Sequence, residues 1–212
     1  MSTKAAAPSA LIFNEIGTRD RILLAAARQF RYSGFASTSL REIAREAGIT
    51  AGSIYNHFSS KEEILDEVLR IGVANVAKAV RERVASLPAG ATWREKISAA
   101  IREHLRNALH QGDFTSANIR LWAQLPAEVK ERQRVLRHEY AEYWRELFRS
   151  AQAAGELRSD LNNKVMELFV VGALNWTGEW YDPRRGSFDA LCDELLTIIF
   201  DGISGDRQLA EK

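Results

Sequence analysis

The chain has 212 residues, a net charge of +1 at pH 7, 46% hydrophobic residues and 27% charged residues, which are proportions typical of globular proteins. No apolar run reaches the roughly 18 to 20 residues that span a bilayer, and the first dozen residues lack the pattern of a signal peptide. We therefore expect a cytoplasmic protein without a membrane partner. The single cysteine, Cys192, excludes an internal disulfide and fits a reducing compartment.

Charge is unevenly distributed along the chain. The first 60 residues carry seven basic and four acidic side chains, so the remainder is close to neutral. A basic segment on a near-neutral body is typical of a module that binds a polyanion. The alternative interpretation is that these basic side chains only form an ordinary solvated helix face.

The apolar spacing predicts an all-α chain, because helical periodicity dominates and strand alternation is nearly absent. Residues 1–14 predict a disordered arm. A first helix is predicted to start at Thr18, as its N-cap, and to stop at Gly34. Shorter helices are expected at about 39–47 and 51–58. The capping box Ser60-x-x-Glu63 then opens a long helix that ends before Pro88.

The second half of the chain also predicts helices throughout. A capping box at Thr92-x-x-Glu95 opens one that ends at Gly112, and others are expected at 113–122, 126–155, 162–181 and 187–203. The last two are apolar around most of their circumference, so they need cover on every side. A second copy of the chain would provide it, which predicts a homodimer through these two helices. The alternative is a monomer whose other helices provide the cover.

Residues 39–58 have the pattern of a helix-turn-helix. Ala44 is small where two helices pack closely, and Gly48 suits a left-handed turn. Thr50 can cap the second helix. Apolar contacts between the helices are expected from Ile43, Ala47, Ile49, Ile54 and Phe58.

The face of the second helix opposite Ile54 and Phe58 carries short, mostly polar side chains, as suits a helix that enters the major groove of DNA. The residues on this face are Thr50, Ala51, Ser53, Asn56 and His57. Gly52 lowers helix stability by about 1 kcal/mol relative to alanine, and we interpret it as allowing close backbone approach to DNA. Arg41 and Lys61 are placed to reach phosphates.

Residues 18–64 closely resemble the N-terminal domain of the TetR family of bacterial regulators. The matching motifs are Ile22-x3-Ala26-x3-Phe30, Gly34-Phe35, Thr38-Ser39-Leu40-Arg41-Glu42-Ile43-Ala44, Glu46-Ala47-Gly48-Ile49 and Ser53-Ile54-Tyr55-Asn56-His57-Phe58-Ser59-Ser60-Lys61-Glu62. The resemblance implies phosphate contacts from Tyr55 and Lys61, and DNA contacts from Arg41, Ser53 and Asn56. Many relatives carry an aromatic residue where this chain has Asn56, so the bases recognised stay open.

The family's layout implies a DNA-binding domain at 15–62, a ligand-binding and dimerisation domain at 63–205, and a tail at 206–212. An apolar cavity between helices of the second domain is predicted, although the same side chains could form an ordinary core. The candidate lining is Leu105, Leu109, Phe114, Trp122, Tyr140, Tyr143, Trp144, Phe169 and Trp176.

The segment Ala173-Leu174-Asn175-Trp176-x3-Trp180-Tyr181-Asp182-Pro183 resembles, over a short stretch, a TetR subgroup that senses fatty acyl-CoA. Asn175 in an apolar helix needs a hydrogen-bond partner, which a ligand carbonyl could supply. The alternative partner lies across the dimer. Arg120 could meet an anionic group at the mouth of a pocket, although an exposed arginine is an equally simple interpretation.

These features predict a ligand-responsive repressor, released from a palindromic DNA operator by a small lipophilic effector such as an acyl-CoA. One alternative is a multidrug-sensing repressor of an efflux pump, and another is a helical enzyme or binding protein. Catalysis is not expected, because the four histidines show no metal-ligand spacing and Cys192 has no neighbouring histidine. No metal or cofactor is expected either.

Overall fold

The computed structural model describes residues 17–111 and 113–202. This part of the chain contains ten α-helices, one π-helix and no strand, which confirms the all-α prediction. The α-helices, α1 to α10 in chain order, are Thr18–Ser33, Leu40–Glu46, Ala51–Ile54, Lys61–Ala85, Trp93–Arg106, Asp113–Trp122, Ala127–Arg132, Arg134–Ala153, Asn163–Trp180 and Phe188–Asp201. The π-helix is Asn107–Gln111 and follows α5 directly. The predicted arm at 1–14 and tail at 206–212 lie outside the described residues.

Helix α1 ends as expected but begins one residue earlier than predicted. Gly34 follows its last turn with a φ of 80°, a backbone conformation that glycine adopts without strain. The predicted N-cap, Thr18, is wrong, because Gly17 occupies that position and its carbonyl accepts the Arg21 amide at 3.1 Å. Thr18 lies inside the helix, where its hydroxyl accepts a hydrogen bond from Arg21.

Two predicted helices are shorter than the sequence pattern suggests. The segment 51–58 forms only the single turn of α3, and Tyr55 is its C-cap. The segment 126–155 is split into α7 and α8 at Gln133, which has φ −88° and ψ −4°. The side-chain amide of Gln133 donates to the Asp66 carbonyl at 3.1 Å, so a contact distant in sequence holds the break.

The described residues fall into two compact units. The first comprises residues 17–75 and 113–137, and the second comprises 76–111 and 138–202. Besides α1 to α3 and the start of α4, the first unit therefore contains α6 and α7. Asp113, the first residue of α6, accepts hydrogen bonds from Arg28 at 2.9 Å and from Arg31 at 3.0 Å, which ties α6 to α1.

Each unit has its own apolar core. In the first, Ile22, Phe30, Ile43, Ile54, Phe58, Ile64 and Leu69 are buried together with Ala117 and Leu121 of α6. In the second, the buried side chains include Ile97, Ile101, Leu105, Trp144, Phe148 and Leu174. Among the described residues, no helix combines the length and hydropathy needed to cross a membrane.

Candidate nucleic-acid interface and effector site

The turn between α2 and α3 has the geometry that the sequence predicts for a helix-turn-helix. Gly48 has a φ of 68°, and Thr50 caps α3 by accepting the Ser53 amide at 3.3 Å. Ser39 and Glu42 form a capping box at the start of α2. The predicted apolar contacts are confirmed: Ile43, Ala44, Ala47, Ile54 and Phe58 are at most 2% exposed, and Ile49 packs half-buried against them.

The side of α3 that faces away from this core is open to solvent. The predicted DNA-binding residues Thr50, Gly52, Tyr55, Asn56 and His57 are exposed, whereas Ala51 and Ser53 are half-buried. The Tyr55 side chain is 63% exposed.

A groove of about 760 Å³ runs beside α3. It brings together five of the predicted residues, namely Arg41, Ala51, Gly52, Tyr55 and Lys61, with the loop at 36–39. The other predicted residues, Thr50, Ser53, Asn56 and His57, do not line it. The first unit therefore presents two cations and one exposed phenol beside a short helix whose surface is polar, an arrangement suited to contacts with a phosphate backbone.

Lys61 also makes contacts within the first unit that the sequence did not indicate. Its ammonium group donates to the Phe35 carbonyl at 2.9 Å and to the Thr38 carbonyl at 2.8 Å. It also lies 4.3 Å from the centroid of the Phe35 ring. A lysine ammonium has three N–H donors, so one remains for a phosphate while the other two brace the loop between α1 and α2.

The second unit contains a buried polar cluster that joins three helices. His104 of α5 lies 2.9 Å from the Tyr140 hydroxyl of α8 through Nδ1, and 3.0 Å from Asn175 Oδ1 of α9 through Nε2. His104 is 2% exposed and Tyr140 is 7% exposed. Because a carbonyl oxygen can only accept, Nε2 carries the proton and Nδ1 accepts from Tyr140.

This cluster carries no charge at neutral pH. Burial lowers the pKa of His104 to about 4, and the hydrogen bond to Asn175 offsets only part of that effect. Burial also raises the pKa of Tyr140 above its ordinary value. Sequence spacing gave His104 no role as a metal ligand; its place on the buried face of α5, between Ile101 and Leu105, was the available signal for a different role.

The pH dependence of stability tests this burial. Because the folded pKa of His104 lies below its ordinary value of 6.5, the unfolded chain binds the proton first, and stability is lost as pH falls from 6.5 towards 4. We expect this histidine to lower the free energy of unfolding by about 1.5 kcal/mol between pH 6.5 and pH 5. Urea unfolding of His104→Gln should show a shallower loss than the wild type. Equal slopes would contradict a buried neutral histidine.

The predicted effector residues do not all meet. Tyr140, Trp144 and Asn175 come together around His104, with 6.3 Å between the ring centroids of Tyr140 and Trp144. Leu105 is buried in the same unit, and Leu109 and Tyr143 are half-buried there.

Four predicted effector residues lie elsewhere. Phe169 and Trp176 are 66% and 65% exposed on the outer face of α9. Phe114 and Trp122 belong to the first unit and pack against its core. Helical periodicity identifies an apolar face but not the element that covers it, so aromatic spacing alone could not separate these groups.

The single cysteine, Cys192, is buried in the second unit. Burial raises the pKa of the Cys192 thiol to about 11, which leaves little thiolate to act as a nucleophile. Within 17–111 and 113–202, no group of three or more His, Cys, Asp or Glu side chains could hold a metal ion.

Comparison with known families gives two matches along the chain. Residues 22–68 match the family described as bacterial regulatory proteins, tetR family. Residues 90–203 match the family described as tetracyclin repressor-like, C-terminal domain. One relative is the HTH-type transcriptional repressor KstR2 of Rhodococcus jostii strain RHA1, which is 30% identical over 196 residues, covering 89% of this chain and 92% of the relative.

Solved structures have the same fold. AibR in complex with isovaleryl coenzyme A and operator DNA matches with a TM-score of 0.78 at 22% identity, covering 87% of this chain and 98% of that one. FadR of Bacillus subtilis in complex with stearoyl-CoA matches with a TM-score of 0.75 at 20% identity, covering 87% and 99%. KstR2 is a transcriptional repressor, and FadR is a transcriptional regulator.

Proposed function

The chain belongs to the TetR family of bacterial DNA-binding transcriptional regulators, and we propose that it is a repressor released from its operator by an acyl-CoA. The observation that carries this proposal is the open polar face of α3 beside a groove that contains Arg41, Tyr55 and Lys61. Binding would place the two α3 helices of a homodimer in successive major grooves of a palindrome, about 34 to 36 Å apart.

The outer face of α9 supports the homodimer. A row of exposed apolar side chains follows one face of this helix for its whole length. These are Val165, Leu168, Phe169, Trp176 and Trp180, each at least 50% exposed. Ile198 of α10 is also 45% exposed. A contiguous apolar row of this kind is typical of a protein interface, and a second copy of the chain would bury it.

The proposed effector class rests on the relatives and on the buried cluster. AibR and FadR were each crystallised with a coenzyme A thioester. In this chain His104, Tyr140 and Asn175 form an uncharged polar cluster among apolar side chains. The side-chain amide of Asn175 has N–H donors that suit a neutral carbonyl such as that of a thioester.

A cationic drug is a poorer fit to the second unit. Recognition of a buried cation calls for a carboxylate without a counter-ion. Glu167 is the buried acid of α9, at 6% exposed, and it already pairs with Arg145 at 3.2 Å. We therefore favour the acyl-CoA over the multidrug hypothesis.

The test is binding of the purified protein to the intergenic DNA upstream of its own gene, at 50 and 200 mM salt, with and without long-chain acyl-CoA. Specific binding that weakens with salt and is lost with acyl-CoA supports the whole proposal. Specific binding that is unchanged by acyl-CoA would support a DNA-binding regulator and reject acyl-CoA as its effector. Binding that does not distinguish this DNA from an unrelated fragment would count against an operator at that position.

Gly52→Ala should separate stability from DNA binding. A Cβ at Gly52 would meet no atom within 4 Å, and alanine favours the helix by up to about 1 kcal/mol. On the open face of α3, however, the same methyl group would stand between backbone and DNA. We expect unchanged or raised thermal stability and an operator affinity lower by about 1–3 kcal/mol, similar to one mismatched base pair. Unaltered affinity in a gel-shift titration would show that DNA does not approach this residue closely.

Two cation variants test the phosphate contacts. Arg41→Gln should reduce the slope of log affinity against log salt by about 0.9, the value for one lost phosphate contact. Lys61→Gln should reduce the slope similarly and also lower thermal stability, because two carbonyl hydrogen bonds disappear with it. If both variants kept the wild-type salt slope, neither Arg41 nor Lys61 would contact phosphate, and other residues would have to do so.

A further inference from the structure

Arg137, in the first turn of α8, is held in an unusual environment for an arginine. Its guanidinium carbon lies 3.6 Å from the centroid of the Trp122 ring. Nη1 donates to Asn118 Oδ1 at 2.5 Å. The Asn118 side chain is itself 3% exposed and donates to the Leu69 carbonyl at 2.7 Å. The guanidinium plane is therefore fixed by stacking on one side and by one hydrogen bond at its edge.

This cation has no carboxylate partner among residues 17–111 and 113–202. Two arginines close to it in sequence both have one: Arg132 pairs with Asp66 at 2.7 Å, and Arg134 pairs with Glu131 at 2.7 Å. Loss of hydration lowers the pKa of Arg137 to about 10, so the group stays charged at neutral pH. A desolvated charge without a counter-ion is costly, and proteins ordinarily pair it.

The geometry points to Arg137 as the binding site for the anionic group, a carboxylate or a phosphate, of a small-molecule ligand. A guanidinium offers five N–H donors in a planar fork that matches both anions in bidentate fashion. Asn118 takes one of these donors, and Trp122 prevents the fork from rotating. Arg137 is half-buried, so part of the side chain is in contact with solvent.

Sequence spacing had suggested Arg120 for such a role, but Arg120 donates to the Arg31 carbonyl at 3.2 Å. The inference at Arg137 rests on the proposed ligand response. We do not expect Arg137 to contact DNA phosphate, because it does not line the groove that contains Gly52 and Tyr55. Operator affinity without ligand should therefore be the same in the wild type and in Arg137→Gln.

The experiment compares decanoate, decanol and decanoyl-CoA as ligands of the full-length protein by calorimetry. Wild type should bind decanoate about tenfold or more tightly than decanol, the value of one charge-assisted contact. Arg137→Gln should bind the two equally. Arg134→Gln is the matched control, because it removes an exposed cation three residues earlier in the same helix and should keep the preference for the anion. Arg137→Lys keeps the charge without the fork and should show a reduced preference, which tests the site even if the glutamine variant unfolds.

The outcomes show which anion the site takes. If Arg137→Gln loses affinity for both decanoate and decanoyl-CoA, the site takes either a carboxylate or a phosphate. If it loses affinity for decanoyl-CoA alone, the site takes a phosphate. No preference for decanoate and no effect of Arg137→Gln on decanoyl-CoA would overturn the inference. Release of DNA by decanoyl-CoA from wild type and Arg137→Gln at the same concentration would keep the proposed function and reject the site. If wild type prefers the anion through Arg137 but decanoyl-CoA does not release DNA, the site at Arg137 is supported and the proposed function is rejected.

Discussion

Replacing Phe169 with glutamate is expected to split the proposed homodimer and to lower operator affinity by about a hundredfold, because each half of the operator would then be bound independently. Phe169 is 66% exposed in the single chain, so the substitution removes no contact within it. In a dimer formed through α9, the carboxylate would be buried against the apolar row of the partner copy without a counter-ion. Sedimentation and gel-shift titration at matched concentrations measure the two effects.

Val135→Glu provides the control for this prediction. Val135 is 63% exposed, and it lies on α8 rather than on α9, so the same kind of change should leave the dimer and the DNA affinity intact. A Phe169→Glu protein that sediments as a dimer would place the interface outside α9. A monomer that keeps full operator affinity would instead reject the paired use of two half-sites.

Gly72→Ala is expected to destabilise the first unit by about 3 kcal/mol, at the upper end of the usual cost of overpacking. An added Cβ would lie 2.5 Å from the Phe114 carbonyl oxygen and 2.9 Å from Asn118 Cβ. The nearest obstacle is helix backbone, so α4 and α6 would have to move apart. That movement would strain the hydrogen bonds from Thr115 to the Gly72 carbonyl, at 3.1 Å, and from Asn118 to the Leu69 carbonyl, at 2.7 Å.

Gly178→Ala is the matched substitution, because a Cβ at that helical position meets nothing within 4 Å. It should be neutral or stabilising by up to about 1 kcal/mol. Chemical unfolding of both variants, followed by circular dichroism, measures the difference. If Gly72→Ala were as stable as Gly178→Ala, the close approach of α4 and α6 would not exist in solution.

The helix-turn-helix could be predicted in detail because its determinants are local. The cap at Thr50, the turn at Gly48 and the spacing of Ile43, Ala47 and Ile54 all operate within about 15 residues of chain. Where the local pattern and a contact distant in sequence favoured different structures, the chain adopted the structure that fits the distant contact. The periodicity of 126–155 runs on without a stop signal, yet the hydrogen bond from Gln133 to Asp66 accompanies a break there.

The sequence could not group the candidate effector residues by location, since an apolar helix face does not reveal what covers it. Phe169 and Trp176 have the same sequence signature as the buried Trp144, but they face outward. Phe114 and Trp122 were assigned to the second domain by their place in the sequence, yet they pack in the first unit.

The all-α class, the DNA-binding segment and the family could therefore be read from short-range capping, turn and spacing rules. The grouping of side chains into sites depends on the packing of the folded chain. His104 meets Asn175 across 71 residues, and Arg137 meets Asn118 across 19. Neither pair leaves a periodic signal, because both depend on which helix faces bury together, and that is settled by packing over the whole unit rather than by the neighbours of any one residue.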